Sequence, residues 1–127
     1  MKRMNIIRTI LFLALGAAVS TSFAGGRYED PPMNLMEVYT ATQKALDAAK
    51  AGDKAAALEN AKQGRKLAIE SYKEKSTMPM QVASGTLKSA LASIEGDKLA
   101  EAIPELEHGM AKLQEDVDYY KKAGKLK

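Results

Sequence analysis

The sequence predicts an all-α protein, an antiparallel up-down-up-down four-helix bundle that follows a cleaved signal peptide. After residue 33, apolar residues recur at steps of three and four, the spacing of one helix face, in four successive segments. A Gly-Asp-Lys triplet occurs twice between these segments, at 52–54 and 96–98. Such tight turns make consecutive helices run in opposite directions, and no segment alternates with the two-residue period of a strand.

Residues 1–24 have the features of an export signal. Three basic residues among the first eight precede an almost unbroken apolar run at 9–19. Ser22-Phe23-Ala24 then offers small residues at the two positions that signal peptidase reads. The apolar run is shorter than the roughly 20 residues that a helix needs to cross a bilayer. We therefore expect a periplasmic mature chain that begins at Gly25 and has no membrane span after cleavage.

The composition of the mature chain excludes several classes of function. Three of the 19 Lys and Arg residues and none of the 16 Asp and Glu residues lie in the predicted signal, so basic and acidic residues balance after cleavage. A neutral chain lacks the clustered positive charge that nucleic acid requires, and we expect no nucleic-acid partner. The absence of Cys excludes disulfides and thiolate ligands, and one His excludes a multi-histidine metal site within one chain. No catalytic triad or phosphate loop is present, so we expect no enzyme.

The first two predicted helices follow a polar lead-in at 25–33. Asn34 and Glu37 have the spacing of a capping box at the start of the first helix. Gly52 is expected to end this helix and Asp53 to cap the second, which runs to about Lys75. The predicted core stripe of the first helix is Leu35, Val38, Tyr39, Thr42, Ala45, Leu46 and Ala49, and that of the second is Leu58, Ala61, Ala68 and Tyr72.

The last two predicted helices begin after a break at 76–79. Pro79 suits the first turn of the third helix, Gly96 is expected to end it, and Asp97 to cap the fourth. Pro104 should bend the fourth helix, since it lacks a backbone N–H. The bundle should therefore span 34–122, with a basic tail at 123–127. The predicted stripes are Met80, Ala83, Leu87, Ala90, Leu91 and Ile94 in the third helix, and Leu99, Ile103, Leu106, Met110, Leu113, Val117 and Tyr120 in the fourth.

One end of the predicted bundle collects methionine and tyrosine. We name this group the Met/Tyr end; it consists of Met33, Met36, Met78, Met80, Tyr72, Tyr119 and Tyr120. Thioethers are soft ligands that suit cuprous copper, so the four methionines are the candidate metal ligands. The alternative is that these methionines fill gaps at the end of the core, as Met commonly does.

The single histidine is a weaker candidate. His108 lies two residues from Leu106 and from Met110, about 200° around a helix from the core stripe, so it should face solvent. Glu105 and His108 have the Glu-x-x-His spacing of di-iron bundles, but the pair occurs once and should also face outward.

The chain resembles the cytochrome b-562 family. Leu35-Met36-Glu37 is similar to the opening helix of that family, in which a Met haem ligand precedes Glu, and the similarity continues through 45–71 and from Glu95 onward. The resemblance implies a b-type haem electron carrier with Met36 as an axial ligand. The second ligand of that family is a His near the end of the fourth helix, whereas 117–120 contains none.

The chain also resembles the small metal-binding protein family of periplasmic bundles. The similarity spans 37–114, including Ala61-Lys62 and the two Gly-containing turns. It implies the same bundle and binding of copper or other divalent metals. That family uses many histidines along its helices, and the corresponding positions here are largely Lys, Glu, Asn or Ala.

We therefore expect a non-enzymatic periplasmic protein that binds a soft metal, copper first, or a small ligand at the Met/Tyr end. Two alternatives stay open, a b-type haem carrier that uses Met36 and a protein-interaction or stress module with no cofactor. The oligomeric state does not follow from the sequence.

Overall fold

The computed structural model describes residues 28–126. This part of the chain contains four α-helices and no strand: α1 (Leu35–Lys50), α2 (Lys54–Glu74), α3 (Met78–Glu95) and α4 (Leu99–Lys122). The predicted signal peptide, 1–24, and the first residues of the lead-in lie outside the described residues. None of these four helices is both long and apolar enough to cross a bilayer.

The helices pack as a ring around one apolar core. α1 packs against α2 and α4, and α3 packs against the same two helices, whereas α1 and α3 barely touch. The fully buried side chains come from all four helices and include Val38, Ala61, Ile94 and Leu106. This all-helical arrangement is compatible with the predicted four-helix bundle.

The predicted core positions agree best with the observed burial in α3 and least well in α2. All six predicted positions of α3 are buried, as are five of the seven in α4, where Leu99 and Ile103 are half-buried. In α2 the predicted Ala61 and Ala68 are buried and Leu58 is half-buried against the core, whereas Tyr72 is exposed, which contradicts its predicted core position. The buried face of α2 consists of small residues instead, namely Ala57, Ala61, Gly64, Ala68 and Ser71. Small side chains on this face let the neighbouring helices approach closely, so α2 adds little bulk of its own to the core.

The start of α1 differs from the predicted capping box. Asn34 precedes the helix with a left-handed backbone (φ 66°), and its side chain makes no cap hydrogen bond. Its Nδ2 donates instead to the carbonyl of Leu67 in α2, at 3.2 Å. Asn is one of the few residues that tolerate this backbone region, and here the side chain links two helices rather than closing its own first turn.

The two Gly-Asp-Lys triplets form the same turn in different registers. After α1, Gly52 takes the left-handed conformation (φ 77°), the amide of Asp53 donates to Ala48, and the Asp53 side chain caps α2 by accepting from Ala56. After α3 the left-handed residue is Asp97 (φ 60°), and the amide of Lys98 donates to Ser93. Both are Schellman-type helix ends.

The register shift makes the prediction for Asp97 wrong. Lys98, not Asp97, occupies the N-cap position of α4, and no side chain caps that helix. The carboxylate of Asp97 accepts a hydrogen bond from Lys54 Nζ across the two turns. The Lys54 ammonium lowers the pKa of Asp97 below its usual value, by hydrogen bonding first and by charge second. The contact therefore weakens as pH falls into the acidic range, where the carboxylate takes up a proton.

α3 and α4 are in close contact at Gly109. A Cβ atom added there would lie 2.7 Å from Thr86 Cγ2, closer than carbon atoms pack. We expect Gly109→Ala to lower the free energy of unfolding by about 1 kcal/mol, because the steric cost of the added methyl exceeds the stabilisation from the higher helix propensity of Ala. In a Thr86→Ala background the clash is absent, and the same change should instead stabilise the protein by about 0.5–1 kcal/mol. Urea unfolding of the four chains of this double-mutant cycle measures the change of sign.

An equal effect of Gly109→Ala in the two backgrounds would contradict this contact. Gly85→Ala in α3 is the matched control, since a Cβ atom at Gly85 would meet no atom within 4 Å.

Candidate functional site

Tyr28 joins three segments that are far apart in the sequence. The hydroxyl of Tyr120, near the end of α4, donates to the Tyr28 carbonyl at 2.9 Å. The Tyr28 hydroxyl donates to the carbonyl of Ser76, between α2 and α3, at 3.3 Å. Lys75 Nζ lies 4.7 Å from the centroid of the Tyr28 ring, a cation–π contact. The segment before α1, the α2–α3 connection and the end of α4 therefore meet at this residue.

Further contacts hold the end of α4 in place. Tyr119 and Tyr120 pack edge to face, with ring centroids 5.0 Å apart. After α4 the chain turns at Gly124 (φ 74°), and the Lys125 side chain forms an ion pair with Asp30 at 3.3 Å. Asp30 lies two residues after Tyr28, so the same N-terminal segment is attached to α4 twice.

The four candidate methionines differ in exposure. Met33 is 43% exposed and Met78 is 63% exposed. Met33 follows Tyr28 by five residues and Met78 follows Ser76 by two, so both lie on segments that the Tyr28–Ser76 hydrogen bond joins. Met80 is fully buried in the core, the position that the core-filling alternative predicts. That the four thioethers form one ligand set stays a prediction.

The large exposed apolar side chains of residues 28–126 are concentrated in these segments. They are Tyr28, Met33, Tyr72, Met78 and Tyr119. Each lies within a few residues of Tyr28, Ser76 or Tyr120, which are in contact with one another. Single apolar side chains scattered over a protein surface are normal, whereas a concentration of large ones is typical of an interaction site.

Two buried hydroxyl groups near this site have unused hydrogen-bonding capacity. Ser71 in α2 and Thr77 at the start of α3 are almost fully buried. Neither hydroxyl oxygen has a hydrogen-bond partner among the described residues. Buried polar groups are nearly always paired, so these two hydroxyls are exceptions at the same end of the molecule as Met78.

Met36 lies in the first turn of α1. It is half-buried and lines an open groove of about 470 Å³ between α1 and α2, together with Leu67, Lys44, Asn60 and neighbouring residues. The groove mixes apolar and polar side chains. The haem alternative, with Met36 as axial ligand, stays a prediction.

His108 and Glu105 are the other titratable candidates. His108 is exposed, as its position relative to the core stripe predicts. Glu105 accepts a hydrogen bond from Ser93 of α3 at 2.6 Å. Within 28–126 no three His, Asp or Glu side chains are grouped so that they could hold a metal ion.

The sequence interpretation missed Tyr28, which it placed in a polar lead-in. The residue lies in a short polar segment before two prolines, and its role depends on contacts with residues 48 and 92 positions away. No local pattern encodes such contacts. Only the isolated aromatic ring in an otherwise polar segment could have indicated an anchoring residue.

Comparison of the chain with protein-family models, with curated proteins and with solved structures finds no match in any of the three. The resemblance to the cytochrome b-562 and small metal-binding protein families stays a prediction.

Proposed function

We propose that this protein is a non-enzymatic periplasmic binding protein, exported by residues 1–24, that holds a soft metal ion, copper(I), at its Met/Tyr end. The observation that supports the proposal best is the exposure of Met33 and Met78 on two segments that Tyr28 holds together. Thioether sulfur prefers soft, polarisable cations such as copper(I). Met36, three residues after Met33, and Met80, two residues after Met78, are the further candidate ligands.

We further propose that the bundle is antiparallel, with up-down-up-down topology. The order of the contacts supports it: Asn34 contacts Leu67 of α2, while residue 41, further along α1, lies beside the earlier Gly64. The same reversal appears between α3 and α4, where Thr86 lies beside Gly109 and the later Ser93 contacts the earlier Glu105. This topology places the beginnings of α1 and α3 at one end, which is where both exposed methionines lie.

Anaerobic titration of the mature chain with copper(I), against a competing chelator, tests the metal proposal. Met33→Leu combined with Met78→Leu removes both sulfur atoms and keeps apolar side chains of similar size. We expect the affinity for copper(I) to fall at least tenfold, because even the loss of outer-shell partners lowers metal affinity by about 10–100-fold. Met110→Leu, a buried change in the middle of α4, is the matched control and should leave the affinity unchanged. Equal affinity in the double variant and the control would contradict the proposal.

The concentration of exposed apolar side chains also favours a second candidate, a protein-interaction module without a cofactor. The same variants separate the two. Binding of a partner through apolar surface should survive Met33→Leu with Met78→Leu, and should be lost with Met33→Gln and Met78→Gln. Copper(I) binding should be lost in both pairs.

A further inference from the structure

One side of α2 forms a cationic groove that no part of the proposed metal site uses. Its volume is about 390 Å³. Ile69 of α2 and Leu91 of α3 contribute its apolar lining. Its cationic lining consists of Lys62, Arg65, Lys66 and Lys73, which recur at helical spacing and so lie along one face.

Within the part of the chain that the structure describes, these cations form no ion pair. The ion pairs within residues 28–126 are Lys50–Glu107, Lys54–Asp97 and Lys125–Asp30, and none of them involves the groove. Glu70 is the one carboxylate in the lining, and it forms no ion pair there either. Arg65 is half-buried, and its Nε is buried without a hydrogen-bond partner among the described residues. A buried guanidinium N–H without an acceptor is an unusual and unfavourable state.

The charges of the helices explain why these cations stay unpaired. α2 has five Lys or Arg residues against three Glu, whereas α4 has three Lys against six Asp or Glu. α4, the helix with the excess of carboxylates, packs against α1 and α3 rather than against α2. The lining of the groove therefore carries four cations and one carboxylate.

We propose that this groove binds a small amphiphilic anion, an alkyl chain with a phosphate or carboxylate head group. Arg65 supplies a planar set of donors that matches the oxygens of such a head group, and Lys62, Lys66 and Lys73 add positive charge around it. Ile69 and Leu91 give the alkyl chain an apolar surface to cover. A bare inorganic anion would leave that surface in water, and an uncharged alkyl alcohol would leave the cations unpaired.

Isothermal titration with decyl phosphate below its critical micelle concentration tests the proposal, with inorganic phosphate and decanol as comparison ligands. Decyl phosphate should bind, and each comparison ligand should bind at least about tenfold more weakly, since each lacks one of the two interactions. Arg65→Gln with Lys66→Gln should lower the affinity for decyl phosphate by about tenfold or more, as expected for loss of a hydrogen bond to a charged group. Lys112→Gln with Lys121→Gln, on α4, is the matched control and should change nothing.

Circular dichroism of each variant establishes that the helices are intact, and Lys62→Gln with Lys73→Gln, two exposed positions, repeats the test without touching the half-buried Arg65. Equal affinities for decyl phosphate and inorganic phosphate would overturn the proposal, as would equal affinities in the groove and control variants. Binding to phosphatidylglycerol vesicles without binding of monomeric decyl phosphate would also overturn it, in favour of a membrane surface. Met33→Leu with Met78→Leu should leave decyl phosphate binding intact, so this test is independent of the metal proposal.

Discussion

Leu87→Ala should lower the free energy of unfolding by about 3 kcal/mol, one of the two largest effects that we expect of a single substitution. Leu87 is buried in α3, and a Cβ atom at Gly64 would lie 3.2 Å from its Cδ1 and 3.3 Å from the Cβ of Ala41. The side chain therefore fills the space where α1, α2 and α3 meet. Gly64 and Ala41 are too small to close the void that Leu87→Ala creates, so little of the cavity cost can be recovered by relaxation.

Thermal and urea unfolding measure this effect. For a domain of this size each kcal/mol corresponds to about 4–8 °C in the melting temperature. Leu58→Ala is the matched control, because Leu58 is half-buried in α2 and its truncation should cost clearly less. Similar losses in the two variants would contradict the position of Leu87 at the centre of the core.

Tyr120→Ala should be destabilising by about 3 kcal/mol or more. The side chain is almost fully buried, its ring packs edge to face on Tyr119, and its hydroxyl holds the carbonyl of Tyr28. Truncation removes the ring from the core and releases the segment before α1 at the same time. Urea unfolding measures the loss of stability.

Tyr120→Phe separates the two contributions, because it keeps the ring and removes the hydroxyl. We expect a loss of about 1 kcal/mol, the usual contribution of one hydrogen bond. Amide hydrogen exchange should accelerate at the start of α1, while protection within α2 and α3 stays unchanged. Full protection at the start of α1 in Tyr120→Phe would contradict the role assigned to the Tyr28 contact.

The sequence predicts which helix positions are buried where the apolar residues of a helix mark one face clearly. The six stripe positions of α3 combine large and small apolar residues at regular spacing, and all six are buried. α2 is different because its apolar residues do not show which face is covered. Leu58 and Tyr72 are the larger side chains, yet the face that packs is the one with Ala57, Ala61 and Gly64, since close approach of neighbouring helices favours small residues there.

The helix caps could be predicted only in part, for a physical reason. Asp53 caps α2 through a hydrogen bond to a residue three positions away, which local sequence encodes. Asn34 and Asp97 have equally good capping chemistry, but each makes its hydrogen bond with another helix or turn, to Leu67 and Lys54. Competition between a local and a distant partner is decided by the packing of the whole bundle.

The sequence interpretation named the segments of the candidate site but not the exposure of its side chains, and the metal site itself stays a prediction. Helical periodicity places the beginnings of α1 and α3 together only if the topology is known, and it does not distinguish the buried Met80 from the exposed Met78 two residues before it. The cationic groove was not predicted, because the total charge of a chain does not show how charged residues are divided between helices such as α2 and α4.

The attachment of Tyr28 has a thermodynamic consequence for any ligand of Met33 and Met78. A ligand that bridges the two sulfur atoms would oppose detachment of the N-terminal segment, because detachment would separate Met33 from Met78. By linkage the reverse also holds: a change that favours detachment of that segment lowers the affinity for the ligand by the same factor. Tyr120 would then raise the affinity of the protein for that ligand without contacting it.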